Sequence, residues 1–243
     1  MLTAPQNPAQ NLGVLHEKIG AAARAAGRDP AGVTLLGVAK AQPVSRLQVA
    51  AAAGLRDFGE NYLQEAREHM AALGGQPLSW HFIGALQGNK TRPVAEAFDW
   101  VHTLDRLRIA ERLAAQRPAA LPPLEVCIQV RLGDEPGRAG IPPAQLPALA
   151  AAISGLPRLR LRGLMCLPPE EHEPARQRHW FRELRRLRDA LNAAGHGLDV
   201  LSMGMSGDFE AAVAEGATHL RIGAALFGPR GEPAAEGYNA RHG

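Results

Sequence analysis

Val33-Thr34-Leu35-Leu36-Gly37-Val38-Ala39-Lys40 reads as a buried strand that ends on a lysine. Gln42-Pro43 breaks the run, and Pro43 opens an alanine-rich helix over 43–53 that Gly54 stops. A short apolar run bounded by turn residues and followed by helical spacing is the sequence form of a βα unit.

Working outward, the unit recurs. Ahead of it, Leu12, Leu15 and Ile19 predict an extra N-terminal helix over 11–26, stopped by Gly27. Behind it, Arg56-Asp57-Phe58 is a short strand leading to Gly59-Glu60-Asn61 and a helix that runs to about Leu73. Trp80 to Gly84 is a third strand, followed by a helix from Asn89-Lys90 to near Phe98. Trp100-Val101-His102 is the fourth, with Asp105 placed to cap a helix to about Gln116. Leu124 to Val130 is the fifth and Leu159 to Leu167 the sixth, with helices over 143–153 and 174–194 after them. Val200-Leu201-Ser202 is the seventh, Asp208 opens a helix to Glu215, and Thr218 to Ile222 is the eighth.

Eight such alternations predict parallel strands joined by crossover helices. In a 243-residue chain they fit a single-domain α/β fold, a (β/α)8 TIM barrel over 10–230. An open doubly wound sheet is the other reading, but no GxGxxG follows any strand. The polar, Gly/Ala-rich stretch 231–243 predicts a loose tail.

Composition excludes several classes of function. Twenty-seven basic against 24 acidic residues is too even a balance to point to nucleic acid. The dense basic run from Arg176 to Arg188 alternates with Trp180, Phe181, Leu184 and Leu187, which predicts the wet face of an amphipathic helix. Cys127 and Cys166 lie in apolar runs without metal-ligand spacing, which fits a reducing compartment. The N-terminus lacks a basic segment followed by an apolar one, and no apolar run reaches the roughly 18 residues of a membrane span. A soluble cytoplasmic protein with no metal site is expected.

Active sites of a barrel of this kind lie at the C-terminal ends of the strands. Gly204, Gly207 and Gly223 crowd the ends of strands seven and eight, the usual phosphate position in this fold. Ser206-Gly207-Asp208 leads into a helix whose N-terminus favours an anion. These glycines also suit plain βα turns. Alternation puts His219 and Arg221 on one face of strand eight and the apolar Leu220 and Ile222 on the other, so Arg221 is expected to point into the barrel. The same parity groups Lys40 with Leu36 and Val38. Partial desolvation and a nearby cation favour the neutral, nucleophilic form of an amine. Lysine, anion cradle and inward arginine in one mouth suggest a phosphorylated aldehyde, with pyridoxal phosphate the obvious candidate.

The ordered motifs Val38-Ala39-Lys40, Phe58-Gly59-Glu60-Asn61-Tyr62, Trp80-His81-Phe82-Ile83-Gly84, Leu201-Ser202-Met203-Gly204-Met205-Ser206 and Arg221-Ile222-Gly223 carry a resemblance to the pyridoxal phosphate homeostasis protein family. That family is similar to the N-terminal barrel of alanine racemase. The resemblance implies that Lys40 forms a Schiff base with pyridoxal phosphate, that Ser206, Gly207, Gly223 and Ala224 hold the phosphate, that Arg221 faces the pyridine nitrogen and that Asn61 and Met203 line the cofactor. Against the family's usual pattern, Arg131 replaces Asn, Arg138 replaces Lys, Ala85 and Gly88 replace His and Ser, and Ala224 replaces Thr or Ser. An arginine forms no imine, so handing the aldehyde to a second amine at 138 is not expected here.

A protonated guanidinium leaves the ring nitrogen unprotonated and makes the ring a weaker electron sink. Racemase-like enzymes add an all-β domain that brings a tyrosine base, and only Tyr62 and Tyr238 are present here. A monomeric protein that binds the cofactor, buffers it or passes it to apo-enzymes is therefore expected, without catalytic residues. A single-domain racemase or related amino-acid enzyme is the alternative.

Overall fold

The computed structural model describes residues 7–133 and 138–228. Eight parallel strands close into a barrel in strict sequence order, the last pairing with the first. The strands are β1 (Thr34–Val38), β2 (Asp57–Glu60), β3 (Ser79–Phe82), β4 (Trp100–Leu104), β5 (Leu124–Val130), β6 (Leu159–Cys166), β7 (Val200–Ser202) and β8 (His219–Ile222). The helices are α1 (Pro8–Ala25), α2 (Val44–Ala52), α3 (Leu63–Ala72), α4 (Thr91–Ala97), α5 (Leu107–Gln116), α6 (Leu146–Ser154), α7 (Pro174–Ala193), α8 (Phe209–Ala214) and α9 (Ala224–Phe227).

Closure follows from short strands buried on both faces. Their outward residues, among them Leu35, Phe58, Phe82, Val101, Leu201 and Leu220, form one apolar layer with the inward stripes of the helices. Inside, the β5–β7 side of the barrel is packed by Cys127, Met165 and Val200, with Trp100 against them. α1 covers the outside next to α2, α8 and α9 through Leu12, Leu15 and Ile19, and Asn11 Nδ2 donates to the Leu226 carbonyl at 2.9 Å.

Several sequence expectations shift. Asp105 does not cap α5: the helix starts after Arg106, and Asp105 pairs with the Arg106 guanidinium at 2.8 Å. The fourth helix is a 3-10 turn over Gly88–Lys90 followed by α4. The basic run on α7 is more than a wetted face. Arg178, Arg182 and Arg185 converge on Glu215, whose side chain is 1 % exposed at the end of α8, at 2.8, 2.8 and 3.1 Å. The expected tail, 231–243, lies outside the described residues. Among the described residues no helix is long and apolar enough to cross a membrane.

Candidate functional site

Parity places Arg221 as the sequence implied. It pairs in register with Leu36 across the β1–β8 seam, is 4 % exposed and points into the barrel. Nη1 donates to Ser202 Oγ at 2.7 Å and Nη2 to the Cys166 carbonyl at 2.8 Å. Burial lowers the guanidinium pKa, and among the described residues no carboxylate is hydrogen-bonded to it. Its fork is thus fixed from below by two neutral acceptors, with further N–H groups left over for a ligand.

Above Arg221, the ends of β7 and β8 are tied together. Ser206 Oγ accepts from the Ala225 amide at 3.3 Å, the Arg221 amide donates to the Gly204 carbonyl at 3.0 Å, and Asp208 reaches back to accept from the Met205 amide at 2.5 Å. Gly223 and Ala224 begin α9 beside this seam, so Ser206, Gly223 and Ala224 are brought together. Protein packing does not demand glycine at Gly223 or Gly207. A Cβ would make ordinary contact with Val38 at 3.6 Å in the first case and meet nothing within 4 Å in the second. Room without steric need is what a phosphate approached by backbone amides requires, so these residues fit such a group. Gly84 is the opposite case: a Cβ there would lie 2.1 Å from the Asn61 carbonyl oxygen. That contact packs the β2–α3 loop against the end of β3, and Thr103 Oγ1 anchors the same point by donating to the Gly84 carbonyl at 2.6 Å.

Lys40 lies just past β1 in a turn closed by the Gln42 amide donating to the Ala39 carbonyl at 3.0 Å. Ala41 adopts φ 55°, an unusual conformation for a residue with a side chain. Two contacts from α3 hold it there: the Ala41 amide donates to Glu65 Oε2 at 2.9 Å, and His69 Nε2 donates to the Gln42 carbonyl at 3.1 Å. His69 Nδ1 in turn lies 2.6 Å from Glu60 Oε1, and both side chains are buried. Burial works against the His69 cation, but Glu60 and the Gln42 carbonyl hold its pKa above the usual imidazole value. Burial also pushes the Glu60 carboxyl up, so the pair shares one proton. The Lys40 ammonium sits over the Tyr62 ring, 5.1 Å from its centroid.

Not every expected residue meets this mouth. Met203 is fully buried in the outer apolar layer with Leu201, on the face opposite to Ser202, and does not open onto it. Arg138 is fastened to the loop after β6, donating to the Leu167 and Pro168 carbonyls at 2.7 and 2.6 Å. Lys90 is exposed and lines, with Asn61, Tyr62, Gly84 and Gln87, a hollow of about 360 Å³ beside the mouth. A second hollow of about 490 Å³ reaches Ser206 and Gly207 from the α7–α8 side. Cys127 and Cys166 are free and fully buried, and burial pushes the Cys166 thiol up to about 12, so neither serves as a nucleophile.

The family described as alanine racemase, N-terminal domain, matches residues 11–231. Two curated relatives carry the name pyridoxal phosphate homeostasis protein. That of Pseudomonas aeruginosa is 57 % identical over 93 % of this chain and 98 % of its own, and that of Escherichia coli K12 is 52 % identical over 91 % and 96 %. The chain belongs to the pyridoxal phosphate homeostasis protein family. A solved structure of similar build, PipY of Synechococcus elongatus with pyridoxal phosphate bound, is 37 % identical, superposes with a TM-score of 0.81 and covers 91 % of this chain and 100 % of its own. Alanine racemase from Corynebacterium glutamicum shares the fold alone, at 18 % identity and a TM-score of 0.73, and this chain spans 61 % of it. The motifs from Val38 to Gly223 run along the barrel strands and into the loops at their C-terminal ends.

Proposed function

We propose that this chain holds pyridoxal 5′-phosphate in the mouth of its barrel and takes part in intracellular vitamin B6 homeostasis, buffering the cofactor or passing it to apo-enzymes. The observation that carries this reading is the convergence, at one barrel end, of the Lys40 turn, the inward Arg221 fork and the roomy Ser206–Gly223–Ala224 seam. Names within the family point the same way. Ser206 and the amides at Gly207, Gly223 and Ala224 would take the phosphate, Arg221 would donate to the ring nitrogen, and Asn61 would flank the ring. Bound there, the cofactor supplies an aldehyde carbon for an imine with Lys40 Nζ. Arg131, Arg138 and Ala224 depart from the family pattern, so contact at 224 would be through the backbone. The test is direct: protein freed of cofactor, titrated with pyridoxal phosphate, turns yellow and after borohydride reduction carries one cofactor mass on the Lys40 peptide. A colourless titration or a label elsewhere overturns the reading.

A second reading is favoured by one contact. Tyr62 lies against Lys40, where a second proton carrier would be needed, so a racemase-like activity has a candidate base. Its ring face, rather than its hydroxyl, meets the amine, and Tyr62 is about half exposed. The expectation is therefore that D- and L-alanine, serine and ornithine show no turnover above free cofactor. Stereospecific turnover that disappears in Tyr62→Phe would move the protein to the enzyme class.

A further inference from the structure

A chain of polar side chains crosses the barrel interior beneath the mouth. Arg221 Nη1 is 2.7 Å from Ser202 Oγ, which is 2.7 Å from His102 Nδ1. His102 Nε2 is 3.0 Å from His81 Nδ1, and His81 Nε2 is 3.0 Å from Asp57 Oδ1 and 3.1 Å from Ser79 Oγ. Ser202, His102 and His81 are fully buried, whereas the Asp57 side chain, at the start of β2, is 27 % exposed at the opposite end of the barrel.

The two ends fix the direction of every bond. A guanidinium only donates and an ionised carboxylate only accepts. Ser202 accepts from Arg221, so its own proton is left for His102 Nδ1. Burial, followed by the nearby His81, His219 and Arg221, holds the His102 pKa well below the usual imidazole value, so the ring is neutral. A neutral imidazole that accepts at Nδ1 carries its proton on Nε2 and donates it to His81 Nδ1. His81 then donates from Nε2 to Asp57. All the dipoles run from the cation at the mouth to the anion at the floor.

We propose that Asp57, His81, His102 and Ser202 form a positioning relay that fixes the Arg221 guanidinium and brings it the Asp57 countercharge through oriented hydrogen bonds. Arg221 is an interior cation without a contacting carboxylate, and such a charge is costly unless compensated. The relay adds compensation from a distance to the coulombic attraction of Asp208, without placing a carboxylate in hydrogen-bond contact with the fork. The bond order is a property of the chain itself. The effect on a ligand rests on the proposed pyridoxal phosphate reading.

Two measurements test it. In cofactor-free protein with 15N-labelled histidine, long-range 1H–15N correlations at neutral pH, assigned with His81→Gln and His102→Gln, are expected to show both rings neutral with the proton on Nε2. A proton on His102 Nδ1, or a doubly protonated His102, overturns the relay. In the loaded protein, Ser202→Ala and Asp57→Asn are each expected to weaken pyridoxal phosphate binding about tenfold and to change the balance of its visible and near-ultraviolet bands. Asp57→Glu, which keeps the carboxylate on the partly exposed rim, is expected to retain wild-type values. Wild-type binding and spectra in Asp57→Asn and in folded Ser202→Ala overturn the proposal. If wild-type protein takes up no cofactor, the binding reading falls and the histidine spectra alone decide the relay.

Discussion

Lys40→Ala is expected to abolish the visible absorbance of the loaded protein and to weaken pyridoxal phosphate binding by about a hundredfold, on the order of 3 kcal/mol. The sequence makes this an unusually clean experiment, because Lys18, Lys40 and Lys90 are the only lysines in the chain. Lys18 is exposed on α1, on the outer side of the barrel. Lys90 is exposed in the hollow beside Asn61 and Tyr62, and Lys18 lines the other hollow, the one that reaches Ser206 and Gly207, so both are rival amines. Of the three, Lys40 stands on a turn braced by two side chains of α3, Glu65 at the Ala41 amide and His69 at the Gln42 carbonyl. A pre-set turn lowers the ordering cost of presenting an amine, which a lysine on a free loop would bear in full. Lys90→Ala is accordingly expected to stay yellow. A Lys40→Ala protein that keeps its colour while Lys90→Ala loses it would reassign the covalent site.

The eight strands and their order were legible in the sequence because strands buried on both faces are short continuous apolar runs, and turn residues separate them from helical spacing. Alternation also gave the inward direction of Arg221, since Leu220 and Ile222 had to meet the outer layer. Applied to β7, the same parity turns Met203 outward beside Leu201 once Ser202 faces in. The resemblance implies a cofactor contact for Met203, whereas its side chain is packed in the apolar layer. α9 escaped notice because four residues make one turn and carry no period. The Lys40 turn escaped because its left-handed residue is an alanine, not a glycine or asparagine, and what holds it is a histidine 27 positions away. The interior relay joins five strands, and no single segment carries its pattern: it needs the closed barrel to bring Asp57, His81, His102, Ser202 and Arg221 into line. The arginines of α7 read as solvated for the same reason, as Glu215 belongs to the next helix.

The crowded imidazoles inside the barrel should make the protein lose stability in mild acid, through His219 above all. Its ring lies among Trp100 at 5.2 Å, His102 at 5.9 Å and His81 at 6.1 Å between centroids. Burial first, and then His81, lower its pKa to about 3, against a pull upward from Asp57. A histidine depressed in the folded state contributes stability that is fully present above its unfolded value and is lost as pH falls below it, because the unfolded chain takes the proton and the native chain does not. With an unfolded value of about 6.5, His219 alone should cost about 2 kcal/mol at pH 5, and His102, also depressed by burial, acts in the same direction. His69 has the opposite sign: its contribution is complete below the unfolded value and fades only as pH rises through its folded one. Glu60 and Asp208, both raised by burial, gain protons in the native state first and offset part of the loss. A difference measurement removes those terms. Urea unfolding of wild type and His219→Asn at pH 7 and at pH 5 should show the gap between the two proteins shift by about 2 kcal/mol in favour of the variant as the pH falls. An unchanged gap would mean that the His219 ring takes its proton inside the folded barrel.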